Sequence, residues 1–262
     1  MSETSFAAIV TSLHGRTGKT MLARVLAEYF LLSEQTPVVF DTDTSERSLS
    51  ACFPGHSLVV DLDQVRGQMA LFDGLVQASA DSRVVDVTHQ WFRRFFNLMR
   101  DTDFIAEARL NGVEPVIFYV ADRNRDSFEE GRLLLERFAD CAVVIVDNAY
   151  LRRAAGTTRH SPDYLTLEAY DLHFQMPALD PVAASFIDDS TMSLADFLRA
   201  PLPLSYATAD TGDIALNARA SIRAWLVKLV REIHRVTHAT EARLAPAAPS
   251  RLLARVAHGS DA

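Results

Sequence analysis

Apolar and polar positions fall into two kinds of pattern along the chain. Short unbroken apolar runs recur at residues 6–10, 37–43, 83–87, 116–122 and 142–148, with lesser ones at 56–62 and 171–177. Runs of that length, rich in Val, Ile and Phe, predict buried strands. Between them lie longer stretches whose apolar residues repeat at helical spacing: 21–32, 65–79, 91–99, 127–138 and 213–238. Those predict helices packed by one face. Residues 45–50 read as a loop or short helix, and two short helices are expected around Ala183 and Leu194. Strands that alternate with helices imply an α/β fold: a doubly wound, mainly parallel sheet with helices on both faces.

Breaks in the pattern set the organisation. Arg152 to Pro162 reads as a polar excursion, and Ala200-Pro201-Leu202-Pro203 interrupts the chain before its longest helix. Ala245-Pro246-Ala247-Ala248-Pro249 reads as a linker to a flexible tail. The expected division is one domain over residues 1–240 and an appendage over 241–262. There is no internal repeat. A chain of 262 residues is long enough for one large core.

Composition narrows the classes. Hydrophobic residues are 48% and charged ones 23%, which is globular. No apolar run reaches the roughly 20 residues of a membrane span, so stable membrane insertion is not expected. Met1 to Ser5 lacks the basic start of a secretion signal. Cys52 and Cys141 form neither a disulfide framework nor a zinc spacing, so a reducing cytoplasm is expected, with Cys141 a core residue. The histidines read as scattered, with no pair at ligand spacing, and no nucleophile motif occurs. Net charge is −8, which excludes an all-over basic nucleic-acid binder. From Ile214 to the end, however, eight basic residues face three acidic ones. Only Lys19 and Lys228 are lysines, so a lysine inside Gly-Lys-Thr is less easily a chance match.

That lysine belongs to Leu13-His14-Gly15-Arg16-Thr17-Gly18-Lys19-Thr20. The segment joins the first strand to the first helix, the arrangement of a phosphate-binding loop. Backbone N–H groups of Gly15, Arg16, Thr17 and Gly18 would curl around phosphates, with Met21 following in the helix. The helix N-terminus adds partial positive charge. Lys19 would reach the outer phosphates and the Thr20 hydroxyl would hold Mg²⁺. The usual pattern opens with Gly where Leu13 stands, and an ordinary strand–loop–helix corner is the plain alternative. Asp41 and Asp43 close the second strand on one side of it. Asp86 closes another and is placed either as the magnesium carboxylate or as a helix N-cap.

Taken together, these residues resemble the ParA/MinD family of P-loop ATPases, over roughly residues 6–235. The resemblance rests on the phosphate loop, on Asp41-Thr42-Asp43, on Val84-Val85-Asp86, on Val146-Asp147-Asn148 and on Met176-Pro177. It implies ATP and Mg²⁺ as cofactors, with Lys19 and Asp43 catalytic and Asp41 the second choice for the water. It also implies Thr20 and Asp86 at the metal, and Asn148 and Pro177 near the base. Family loops usually read Lys-Gly-Gly-x-Gly-Lys-Thr. His14 stands where the first lysine reaches a dimer partner's phosphates, Arg16 replaces a glycine, and Thr44 replaces the proline after Asp-x-Asp. These departures look like a divergent, StbB-like branch.

The resemblance implies a Mg-ATP switch that forms a homodimer, acting in plasmid or chromosome segregation, DNA transfer or cell organisation. Weak nonspecific DNA contact through the basic C-terminal helix is a further expectation. The alternatives are an ATP-dependent synthetase of the dethiobiotin-synthetase class, and a nucleotide-binding scaffold that does not hydrolyse.

Overall fold

The structure is a computed structural model that describes residues 5–79, 81–152, 161–188, 190–201 and 209–244. The expected linker and tail at 245–262, and most of the excursion after Arg152, lie outside the described residues. The chain begins with β1 (Ser5–Thr11), α1 (Lys19–Leu32) and β2 (Val38–Asp41). Then follow α2 (Ser48–Cys52), β3 (Ser57–Val59), α3 (Val65–Val76) and β4 (Arg83–Asp86). A single 3₁₀ turn, His89–Trp91, leads into α4 (Phe92–Asp101) and α5 (Phe104–Leu110). The second half holds β5 (Val113–Ala121), α6 (Arg125–Arg137), β6 (Ala142–Asn148), α7 (Ala149–Arg152) and α8 (Pro162–Glu168). It ends with β7 (His173–Met176), α9 (Pro181–Asp188), α10 (Leu194–Arg199) and α11 (Ala209–Leu244).

The seven strands form one sheet in the order β3-β2-β4-β1-β5-β6-β7, and every pairing is parallel. This is a doubly wound, parallel α/β fold with helices on both faces. Because side chains alternate along a strand, β1 feeds two cores. Phe6, Ala8 and Val10 face the layer that holds α1, α9, α10 and α11, while Ala7 and Ile9 face α3, α4, α5 and α6. Chain order reverses around β1, since β2 and β3 lie to one side and β5 to β7 to the other. Such a reversal opens a crevice at the carboxyl ends of the strands. Register puts Asp86 opposite Val10 on one side and Asp41 on the other. The first half of the candidate chemistry is therefore gathered at one edge of the sheet by strand pairing alone.

Helix α11 is longer than its apolar pattern predicts, and α3 ends earlier, at Val76. The buried stripe of α11, Ile222, Trp225, Leu226, Leu229 and Ile233, matches the helical spacing. Trp225 Nε1 donates to the Pro177 carbonyl at 2.7 Å, and Arg235 donates to the His173 carbonyl, so α11 covers the β7 end of the sheet. Cys52 and Cys141 are free and buried. Among the described residues no helix is long and apolar enough to cross a membrane.

Candidate nucleotide-binding site

Residues 12–18 carry the backbone from the end of β1 to the first turn of α1. Two of them hold the left-handed region: Gly18 at φ 90° and Arg16 at φ 60°. A glycine adopts this freely, whereas an arginine pays for it. Gly18 is also closed to any side chain. A Cβ there would lie 2.6 Å from Asn148 Nδ2 and 3.0 Å from Met176 Cε. The Asn148 amide donates to the Thr17 carbonyl at 2.9 Å, while its Oδ1 accepts from Tyr150 N. Asn148 thus ties the loop to the end of β6. The loop runs directly into the N-terminus of α1, where anions are favoured.

Lys19 and Thr20 converge on one carboxylate. Lys19 Nζ lies 2.9 Å from Asp86 Oδ1, and the Thr20 hydroxyl donates to Asp86 Oδ2 at 2.5 Å. Asp86 is 3% exposed, so its charge is sealed beneath those two side chains. The N-cap alternative for Asp86 does not hold, since its oxygens serve α1, and Thr88 precedes the 3₁₀ turn. A hydroxyl and a carboxylate are the hard oxygen donors that Mg²⁺ takes beside phosphate oxygens. Among the described residues no group of three or more His, Cys, Asp or Glu side chains gathers as a self-sufficient metal site. A cation here would be completed by the phosphates themselves. One further atom points to an anion: Thr17 Oγ1 is buried at the loop without a hydrogen-bond partner. A buried hydroxyl left so is costly unless a ligand meets it.

The two aspartates of β2 do different things. Asp41 is 1% exposed; its Oδ1 accepts from Asp43 N at 3.0 Å, and its Oδ2 from Leu49 N and Ser50 N at 3.1 and 2.9 Å. Burial pushes its carboxyl upward, partly offset by the Ser50 and Asp43 amides. Asp43 stands at the cleft, and its Oδ1 takes Ser45 N, Ser45 Oγ and Glu46 N. The Ser45 hydroxyl is the main cause that holds Asp43 below the usual carboxylate range. Thr42 Oγ1 donates to the Asp86 carbonyl and accepts from Thr88 N, which laces the ends of β2 and β4 together.

The cleft that results has a volume of about 1010 Å³. Gly15 to Met21 form its floor, the 42–49 loop and His89 to Trp91 one wall, and Asn148, Tyr150 and Ile187 the other. Of the sequence-derived candidates, Gly15, Arg16, Thr17, Gly18, Lys19, Thr20, Met21, Asp43 and Asn148 line it. Asp86 and Asp41 sit just beneath it, and the Pro177 carbonyl is taken by Trp225. His14 turns elsewhere. Its Nδ1 lies 2.5 Å from Asp122 Oδ2 and its Nε2 3.3 Å from Asp126 Oδ2, at the junction of β5 and α6. Two features escaped the sequence pattern. His89 reaches the loop from the far side of β4, although a Thr-His-Gln step between strand and helix was visible. His234 and His238, one turn apart on α11, stack edge-on at 4.2 Å between ring centroids and engage Tyr29 and Glu241. That corrects the expectation of no histidine pair at ligand spacing.

No protein-family model matches the chain. No curated protein matches it in sequence. Among solved structures, it is similar to the septum site-determining protein MinD from Pyrococcus horikoshii, complexed with Mg-ADP. There the identity is 15%, over 90% of this chain and 98% of that one, with a TM-score of 0.44. It is similar to a Cyanothece McdA–ATP complex, at 13% identity over 85% and 97% of the two chains and a TM-score of 0.40. A putative plasmid partition protein from Borrelia burgdorferi bound to AMPPNP gives 12%, 88% and 98%, with a TM-score of 0.34. What the cleft can bind is decided by its own geometry.

Proposed function

We propose that this protein is a Mg-ATP-dependent switch of the ParA/MinD type, working in plasmid or chromosome segregation, DNA transfer or cell organisation. One observation carries the nucleotide reading: Lys19 and Thr20 meet on the sealed carboxylate of Asp86, beneath a loop whose Thr17 hydroxyl is buried without a partner. A triphosphate supplies what each of these groups lacks. Its oxygens would take the loop N–H groups and the Thr17 hydroxyl, and would draw Lys19 off Asp86. Thr20 and Asp86 would hold Mg²⁺, which neutralises phosphate charge when bound.

The remaining chemistry is positioning. Asp43 orients the attacking water, since the bonds to its Oδ1 fix the side chain and its depressed pKa keeps it a carboxylate. Asp41 holds the 42–50 loop through three backbone N–H groups and is the weaker candidate for the water. Asn148 supports the loop wall and would lie nearest the base, with Pro177 the other residue expected near it. In a homodimer the cation that faces the partner's phosphates would be Arg16, exposed on the cleft, because His14 is engaged by Asp122 and Asp126. That engagement also favours a second reading, a nucleotide-binding scaffold that does not hydrolyse. Two free, buried cysteines suit a reducing cytoplasm.

Calorimetry with ATP and Mg²⁺ tests the reading. Lys19→Ala is expected to lose at least tenfold in affinity, as removal of a charge-assisted phosphate contact requires. Unchanged affinity in that variant removes the phosphate-loop assignment.

A further inference from the structure

His89 has no role in the mechanism above, yet its ring stands against the phosphate loop. A Cβ placed on Gly15 would lie 3.2 Å from His89 Cε1, 3.3 Å from Nδ1 and 3.6 Å from Nε2. Three ring atoms at such similar distances mean that the imidazole covers the place where any other residue would carry a side chain. A side chain at Gly15 would have to push that ring aside by a few tenths of an ångström, although the two residues lie 74 positions apart in the chain. His89 is exposed, so core packing does not hold the ring there. The segment that carries it is fixed one residue earlier: Thr88 N donates to Thr42 Oγ1 at 2.8 Å, and that hydroxyl donates to the Asp86 carbonyl at 2.9 Å.

On the nucleotide reading, a phosphate chain would have a direction in this cleft. The inner phosphates belong at the N-terminus of α1, whose first residue is Lys19. Lys19 and Thr20 both lean toward Asp86, at the end of β4. The outermost phosphate would therefore fall on the β4 side of the loop. Gly18 marks the other end, against Asn148 and Met176. His89 is the first residue of the turn that leaves β4, and it lines the cleft on that outer side.

We propose that His89 is the residue by which the site tells a nucleoside triphosphate from a diphosphate, a ring N–H donating to an oxygen of the terminal phosphate. This rests on the nucleotide reading of the loop. A diphosphate ends short of the ring, so the contact adds affinity to the triphosphate alone. The ring begins a turn that passes directly into α4, whose Phe92, Phe95, Phe96 and Met99 are buried in the core. Occupancy of the outer phosphate position is in this way tied to one helix of the second layer.

The test is calorimetry on the full chain with Mg-ADP and with AMPPNP and Mg²⁺. His89→Ala is expected to bind ADP as the unaltered protein does and AMPPNP about tenfold more weakly. His89→Gln, which keeps an N–H donor, is expected to recover part of that loss. If His89→Ala leaves both affinities unchanged, or lowers both by one factor, the proposal is overturned while the nucleotide reading stands. If the unaltered protein binds neither nucleotide, the nucleotide reading falls and takes the proposal with it.

Discussion

At the scale of residues, the two aspartates of β2 illustrate how one side of a strand can hold two different jobs. Asp41 is buried and answers three backbone N–H groups, whereas Asp43 is bonded through one oxygen at the cleft. Asp41→Ala leaves those amides without an acceptor in a buried place. It is expected to cost about 2–4 kcal/mol of stability, read by urea unfolding. Asp43→Ala loses only the turn at Ser45 and Glu46. It is expected to fold and bind ATP normally while turnover falls at least tenfold, read by phosphate release. Normal turnover in Asp43→Ala would remove its role with the water, and a stable Asp41→Ala would mean that the 42–50 loop is held by other contacts.

At the scale of elements, α1 both follows the Gly15–Gly18 loop and anchors the layer it shares with α9, α10 and α11. Arg24 and Glu28, one turn apart, are 5% and 1% exposed. Arg24 donates to the carbonyls of Ile187 and Met192, and Glu28 accepts from Leu194 N and Ala195 N at the start of α10. The segment that joins α9 to α10 is thus fastened to the helix that begins at Lys19. Burial raises the Glu28 pKa above its ordinary value, against the lowering effect of the two amides and of Arg24, with Asp196 adding to the rise. A group raised in the folded state contributes its stability below the unfolded pKa and loses it as pH climbs through the folded one. Glu28→Gln has no such titration. The stability of the unaltered protein relative to Glu28→Gln, about 1–3 kcal/mol at its largest, should therefore be greatest below pH 4.5 and fall as pH rises. Thermal melts across that range check it, and a gap that widens with pH contradicts the sign.

How far the elements were legible follows from the same physics. Strands β1, β5 and β6 are buried on both faces, so they appear as unbroken apolar runs, and their bounds differ from the expected ones by three residues at most. Helices α5 and α8 were not expected. At seven residues each they are too short to show a period, and α8 starts from Ser161, whose hydroxyl accepts from Tyr164 N just before Pro162. The places of Lys19 and Thr20 at the start of α1 and of Asp86 at the end of β4 were legible, because each lies where an apolar strand pattern ends or a helical one begins. His14 and His89 were not. Their partners, Asp122 and Gly15, are brought to them by the order of strands, and no local pattern carries that.

At the scale of the whole molecule, charge is divided. The protein carries −8 overall, with +5 from Ile214 onward and −13 before it. Three cations of α11, Arg223, Lys228 and Arg231, are exposed on the side opposite its buried stripe. Among the described residues none of these three makes an ion pair. Arg219 instead lies over Phe197, and Arg235 is held by Glu232 and the His173 carbonyl. Three cations spread over the outer half of a helix suit the phosphates of a duplex, and the acidic body keeps such contact weak. Anisotropy with a nonspecific duplex at low salt and with ATP should show binding whose logarithm falls with the logarithm of salt at a slope of about −3, since each phosphate contact contributes about −0.9. Replacing Arg223, Lys228 and Arg231 by alanine should abolish it and leave ATP affinity intact. A chain ending at Ala245 should bind as the full chain does, because the three cations remain. No binding at low salt sinks the DNA contact, and loss of binding on truncation moves it from α11 to the residues beyond.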